Sequence, residues 1–226
     1  FDKSNNETSS YYRAMFNLYT AEAMLRTKLG NHLNIAYGPT FNNYAFNKGE
    51  NDNRFITDFK DNGLDSAGIY SNKSYAGGKI MATIDTRNNT IIPTRGILWN
   101  TTYSGTFGLN GNSHNTTQLQ TDLSLYMSFR IPANFVIVSR FGGGKLWGNY
   151  EYFQALTIGG TQNLRGYRNF RFAGDANIYN NTEIRVKLFD LKTYVLPAGV
   201  GLIAFNDIGR VWLKNETSHV WHDGYG

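Results

Sequence analysis

The chain has 226 residues, 41% hydrophobic and 15% aromatic, with no cysteine and a net charge of +5. That is enough for one large β domain or two small ones and is not the composition of a disordered tail. The missing cysteine excludes disulfides, thiol chemistry and cysteine metal sites, and the scattered lysines and arginines form no run of the kind that marks a nucleic-acid arm.

No apolar stretch approaches the ~18 residues of a membrane helix. The start, "FDKSNNETSS", lacks the charged-then-apolar pattern of a signal peptide and reads like the middle of a protein. Mean hydropathy is negative, but a transmembrane barrel alternates lipid-facing with lumen-facing residues and so dilutes its average. Membrane insertion therefore has to be judged strand by strand.

The first segment, "YYRAMFNLYTAEAMLRTKL" from Tyr11 to Leu29, is ambiguous: strand is expected, but its Ala-Glu-Ala-Met-Leu-Arg centre favours helix. "HLNIAYGPTF" follows with Leu33, Ile35, Tyr37 and Phe41 on one face. "GGKIMATID" sets Ile80, Ala82 and Ile84 opposite Lys79, Thr83 and Asp85. In "RGILWNTTYSGTF", Ile97, Trp99, Tyr103 and Phe107 oppose Asn100, Thr102, Ser104 and Thr106. The clearest alternation is "QLQTDLSLYMSFR", with Leu119, Thr121, Leu123, Leu125, Met127 and Phe129 against Gln120, Asp122, Ser124, Ser128 and Arg130. "NFVIVSRF", "TEIRVKLF" (Ile184, Val186 and Leu188 against Glu183, Arg185 and Lys187) and "VGLIAFNDIGRVW" complete eight expected strands.

The connections alternate in length. They are tight at Gly30-Asn31, at Ile131-Pro132-Ala133 and around Asp190 to Pro197, and intermediate from Thr86 to Arg95. They are long at Asn47 to Ser74, Gly108 to Thr117 and Gly148 to Asp175. Tight turns at one end and long loops at the other are the habit of outer-membrane barrels, and segments of about 10 to 14 residues are long enough to cross a membrane at a tilt. A soluble all-β domain with one solvated face produces the same alternation, so periodicity alone leaves both readings open.

The last long connection contains "IGGTQNLRGYRNFRFAGD", glycine-punctuated and rich in arginine and aromatics. With its neighbours it resembles the bacterial surface antigen superfamily, the barrel proteins that include the BamA and TamA assembly factors and are related to two-partner-secretion transporters. Leu164-Arg165-Gly166-Tyr167 matches the family's Val/Leu-Arg-Gly-Phe/Tyr tetrad in the sixth external loop, here about residues 148 to 176. "NNTEIRVKL" is similar to the twelfth strand, with Glu183 at its acidic position. "FNDIG" (Phe205 to Gly209) matches the Phe-x-Asp-x-Gly pattern of the thirteenth, and "DTRNNTIIPTRG" from Asp85 to Gly96 is similar to a periplasmic turn.

The resemblance implies an all-β, transmembrane antiparallel β-barrel in the bacterial outer membrane. The chain would supply about eight central strands of a sixteen-stranded barrel, residues 1-226 forming one partial barrel domain. The first five and last three strands and any periplasmic domains would lie outside this chain, since open sheet edges cannot stand in lipid. A complete eight-stranded barrel is the rival, but its interior only just holds side chains and leaves no room for the loop.

The implied function is insertion of β-barrel proteins into the outer membrane, or translocation of polypeptides across it, without enzymatic activity. Outer-membrane lipid, unfolded barrel or secreted clients and periplasmic accessory proteins are the implied partners. The alternatives are a barrel that anchors a fused phospholipase or phosphoesterase, and a passive porin.

In this family the loop folds back into the lumen, and holding it there must offset about 1 to 2 kcal/mol of backbone freedom per ordered residue. Arg165 suits that task because its fork can take two carboxylates and keeps its charge, with Glu183 and Asp207 as the expected partners. Parity points both carboxylates inward: Glu183 shares a face with Arg185, and Asp207 shares one with Phe205 and Gly209, opposite Leu202 and Ile208. Gly166 is expected to supply backbone freedom or close approach, and Tyr167 an aromatic body with a polar tip. Asp85, Arg185, Phe205 and Gly209 are expected in support.

No cofactor or metal is expected. "GGGK" (Gly142 to Lys145) resembles a phosphate loop only in part and sits on a strand, and His219 and His222 read as surface residues.

Overall fold

The computed structural model describes residues 11, 13–54, 68, 70–130, 134–191, 198–214 and 219–226. The period-two segments become β1 (Asn17–Glu22), β2 (Leu25–Leu29), β3 (Leu33–Ala45), β4 (Lys73–Asp85), β5 (Gly96–Gly108), β6 (Thr116–Arg130) and β7 (Asn134–Gly148). Two short strands, β8 (Leu156–Ile158) and β9 (Phe172–Gly174), precede β10 (Ala176–Leu191), β11 (Ala198–Trp212) and β12 (His222–Tyr225).

Ten strands form one sheet in which neighbours are antiparallel, in the order β1-β3-β4-β5-β6-β7-β10-β11-β12, with β2 also pairing β3. The strands from β3 to β7 have 13 to 15 residues, and β10 has 16. At ~3.3 Å per residue even the shorter ones reach about 43 Å, enough to cross a ~25 Å apolar band at a steep tilt.

The segment whose composition favoured helix is two strands on one line. β1 pairs residues 40–45 of β3, and β2 pairs residues 33–37. The break falls opposite Gly38-Pro39, where proline has no N–H to give the ladder. Ala23 N–H still donates to the Pro39 carbonyl at 3.2 Å, and a Cβ on Gly38 would lie 1.9 Å from the Ala23 carbonyl oxygen. Pairing with β3 overrides local helix propensity here.

Register joins the apolar faces. Ile84 lies opposite Trp99, Trp99 opposite Leu123 and Leu123 opposite Phe141. Ile137 lies opposite Ile184, and Val186 opposite Leu202. This outer belt is open, with Trp99 45%, Phe141 50% and Leu202 65% exposed. A continuous apolar surface of that kind is a liability in water and belongs against lipid. The inner face carries Lys79, Gln120, Asp122, Arg140, Asn181, Glu183 and Asp207, and residues 149–175 lie over it. Between the two sit Leu146, Leu156, Ile158 and Leu164, all 3% exposed or less.

Connection lengths follow the expected two ends with one departure. The 86–95 turn, on the tight side, is longer than the 109–115 link on the other. It is an ordered structure: Arg87 forks onto Asp85 at 2.8 and 2.9 Å, and Asn88 Oδ1 accepts the N–H groups of Thr94 and Arg95, each at 3.0 Å. The expected turn at Ile131-Pro132-Ala133, most of Asp190 to Pro197, and residues 55–67 and 69 of the Asn47 to Ser74 connection lie outside the described residues. At the C-terminal end β12 pairs Asn206 to Gly209 of β11.

Candidate functional site

The 149–175 loop folds into a small body before it touches the wall. β8 and β9 pair as a hairpin, and Gly160 closes a tight turn around the tetrad. Its N–H donates to the Tyr167 carbonyl at 3.1 Å, and its carbonyl accepts the Leu164 N–H at 3.1 Å. Gly159 (φ +126°) and Gly160 (φ +86°) take backbone conformations closed to other residues without strain. Leu164 is fully buried beneath this turn.

Arg165 then faces the wall. Its backbone N–H and its Nε both donate to Asp207 Oδ2 at 2.8 Å, its Nη2 donates to Asp207 Oδ1 at 2.6 Å, and its Nη1 donates to Glu183 Oε1 at 2.5 Å. The guanidinium lies 3.8 Å from the centre of the Phe205 ring. Glu183 and Phe205 are partners in register, as are Asn181 and Asp207, so two adjacent strands present both acids and the ring side by side. Arg185 donates to the second oxygen of Glu183 at 2.6 and 2.9 Å, leaving the first for Arg165. Asp207 is fully buried, and its hydrogen bonds push the Arg165 guanidinium above its ordinary range. Three charge-assisted bonds plus a backbone bond make a strong, directional attachment.

The remaining expected residues separate. Gly166 has φ +91° and open space around it, so conformation, not close approach, requires glycine there. Tyr167 packs edge-on against Phe172 at 5.3 Å, and Phe172 stacks on His222 of β12 at 3.6 Å. Gly209 gives space to the hairpin, since a Cβ there would meet Ile158 Cδ1 at 3.0 Å. Asp85 bonds Arg87 in the 86–95 turn and takes no part in this cluster. His219 hydrogen-bonds Arg210, so the two C-terminal histidines face different neighbours.

Several contributors carry no motif in the sequence. Asn163 Oδ1 accepts the Gly159 N–H at 2.8 Å, and its carbonyl accepts Asn181 Nδ2 at 2.9 Å. Gly224 of β12 lets the loop come close: a Cβ there would lie 2.3 Å from the Arg165 carbonyl oxygen. At the loop's start the buried Lys73 pairs with Glu151, and Phe153 packs on Tyr44 at 4.1 Å within an aromatic cluster that includes Phe16 and Phe46. The loop is therefore gripped at its root and at its tip.

Comparison with known proteins gives the family and the fold. The Omp85 superfamily domain matches residues 1–224. A search among curated proteins finds no match. Among solved structures the fold is similar to that of BamA from Haemophilus ducreyi lacking POTRA domains 1-3. The TM-score is 0.62 at 16% identity, covering 87% of this chain and 42% of that one. The chain thus spans less than half the length of that structure, and at this identity the likeness speaks to the fold.

Proposed function

The chain belongs to the Omp85 superfamily, and from that membership and the Arg165 clasp we propose that it is the loop-bearing section of an outer-membrane barrel that inserts β-barrel proteins into the membrane or translocates polypeptides across it. The architecture is that of an antiparallel transmembrane barrel of the bacterial outer membrane. The observation that carries the functional reading is the four-bond attachment of Arg165 to Asp207 and Glu183. A passive pore gains from such a loop no more than a narrower channel. A barrel whose wall must open or pass a chain does gain, because a clasped loop holds neighbouring strands in one arrangement.

In this reading Leu164, Arg165, Gly166 and Tyr167 form the loop half of a latch. Glu183, Asp207 and Phe205 form the wall half, with Arg185 and Gly209 in support. The work is mechanical, not enzymatic. Clients are unfolded barrel proteins or secreted polypeptides, delivered by periplasmic accessory proteins, and the outer belt is solvated by lipid.

The test uses the full-length protein in cells depleted of the wild-type copy. Arg165→Ala is expected to lower the amount of heat-modifiable, folded outer-membrane barrels or of secreted polypeptide while the protein itself still reaches the membrane. Wild-type levels of both products would overturn the proposal.

A further inference from the structure

Three residues toward the N-terminus from Arg165, the loop meets a second charged cluster on the wall, with no acid or base in common with the first. Arg140 of β7 donates through Nε to Asp122 Oδ2 of β6 at 2.7 Å, and its Nη2 lies 2.6 Å from the same oxygen. Tyr179 of β10 donates its hydroxyl to Asp122 Oδ2 at 2.7 Å and accepts from Arg140 Nη2 at 3.3 Å. The remaining arm of the fork, Nη1, donates to the backbone carbonyl of Gln162. We infer that Arg140, held by Asp122 and Tyr179, is a second loop latch that grips the chain by its backbone and positions the tetrad for the Arg165 clasp.

Two observations outside the hydrogen bonds support this assignment. A Cβ on Gly142 would lie 2.1 Å from the Tyr179 ring, so the first glycine of "GGGK" is the space through which Tyr179 crosses β7 to reach Asp122 on β6. Consecutive glycines in a strand mark close approach of this kind. A cavity of about 210 Å³ reaches both Arg140 and Arg165, and Gln162, Asn181 and Glu183 line it with them. The two arginines thus border one polar gap. Together they tie the loop tip to β6, β7, β10 and β11.

The fork geometry explains the division of labour. A guanidinium presents several donors in one plane, so Asp122 can fix its orientation while one N–H stays directed at the loop. Because the accepting group is a main-chain carbonyl, the side chain at position 162 contributes nothing to the grip. A residue that merely packed the wall would show no such indifference.

The inference rests on the clasp reading above, and the experiment separates the two. The full-length protein in outer membranes is treated with trypsin, and cleavage after Arg168 and Arg171 is timed, with heat-modifiable mobility reporting the intact barrel. Cleavage in this regime follows the population of released loop. Arg140→Gln is expected to speed cleavage by about tenfold or more, the loss of one charge-assisted hydrogen bond. Arg140→Lys should restore protection only in part, and Gln162→Ala should cleave at the wild-type rate. If Arg140→Gln disturbs the barrel itself, Tyr179→Phe, which frees Arg140 from one tether, carries the test with a smaller acceleration. Wild-type cleavage in the folded Arg140 or Tyr179 variant beside faster cleavage in Arg165→Ala would overturn the second latch alone. Acceleration by Gln162→Ala equal to that of Arg140→Gln would overturn the backbone grip. Wild-type cleavage in Arg165→Ala would sink the clasp on which both readings stand.

Discussion

Arg165 and Asp207, 42 positions apart, are joined by three hydrogen bonds, one from the backbone and two from the guanidinium. The pairing needs a planar fork at one end and a carboxylate with both oxygens free at the other. Lysine keeps the charge but offers a single ammonium that cannot match both Asp207 oxygens and Glu183 together. Arg165→Lys is therefore expected to weaken loop attachment by about 1.5 to 3 kcal/mol, the range of a charge-assisted hydrogen bond. Urea titration of loop protease protection in the folded barrel measures it. Protection equal to wild type would show that charge alone holds the loop.

Two glycines beside Arg165 separate conformation from space. Gly166 has a positive φ and no heavy atom close to where a Cβ would stand, so Gly166→Ala should cost only backbone strain, about 1 to 2 kcal/mol. Gly224 has no positive φ, but a Cβ there meets the Arg165 carbonyl, a main-chain atom that cannot swing aside. Gly224→Ala should therefore push the loop off β12 and raise cleavage after Arg168 more than Gly166→Ala does. The reverse order would mean that β12 does not bear the loop.

How far the site could be read beforehand follows from where its residues sit. Arg165, Glu183 and Asp207 each stand inside a short motif, and strand parity alone turned both acids to one face. Asp122, Arg140 and Tyr179 come from β6, β7 and β10 with no local pattern linking them. The only trace was the glycine run at 142–144, which reads as a failed phosphate loop until register sets Tyr179 against Gly142. β8 and β9 have three residues each, too short for any period, and β12 has four. The Ala-Glu-Ala-Met-Leu-Arg centre misleads because its pairing with β3 is non-local, and Gly38-Pro39 decides where it breaks.

Alkali bears on the latch from the arginine side. Asp207 raises the folded pKa of Arg165 above its ordinary value. A raised pKa in a cation means that its contribution is complete below the unfolded value and is lost only as pH climbs through the folded one. Loop protection assayed after a wash at about pH 11, where free lysines lose their protons but arginine keeps its own, should match that at neutral pH. In Arg165→Lys, whose ammonium starts from a lower intrinsic pKa even though the same acids raise it, protection should be lost at a lower pH than in the wild type. Release of the wild-type loop at that pH would show that arginine charge is not what retains it.

On β6, Leu123 stands on the outer face between Trp99 of β5 and Phe141 of β7, while Gln120 is on the inner face. The two positions are three residues apart on the same strand, so backbone context is nearly shared and the face is the main variable. A lysine at Leu123 must place its ammonium in the apolar belt, at about 2 to 4 kcal/mol near the midplane, whereas a lysine at Gln120 enters a polar, hydrated space at little cost. Folding of each variant into lipid bilayers, followed by heat-modifiable mobility across a urea series, should show a lowered midpoint for Leu123→Lys and a near-wild-type midpoint for Gln120→Lys. Equal midpoints would place the outer belt in water.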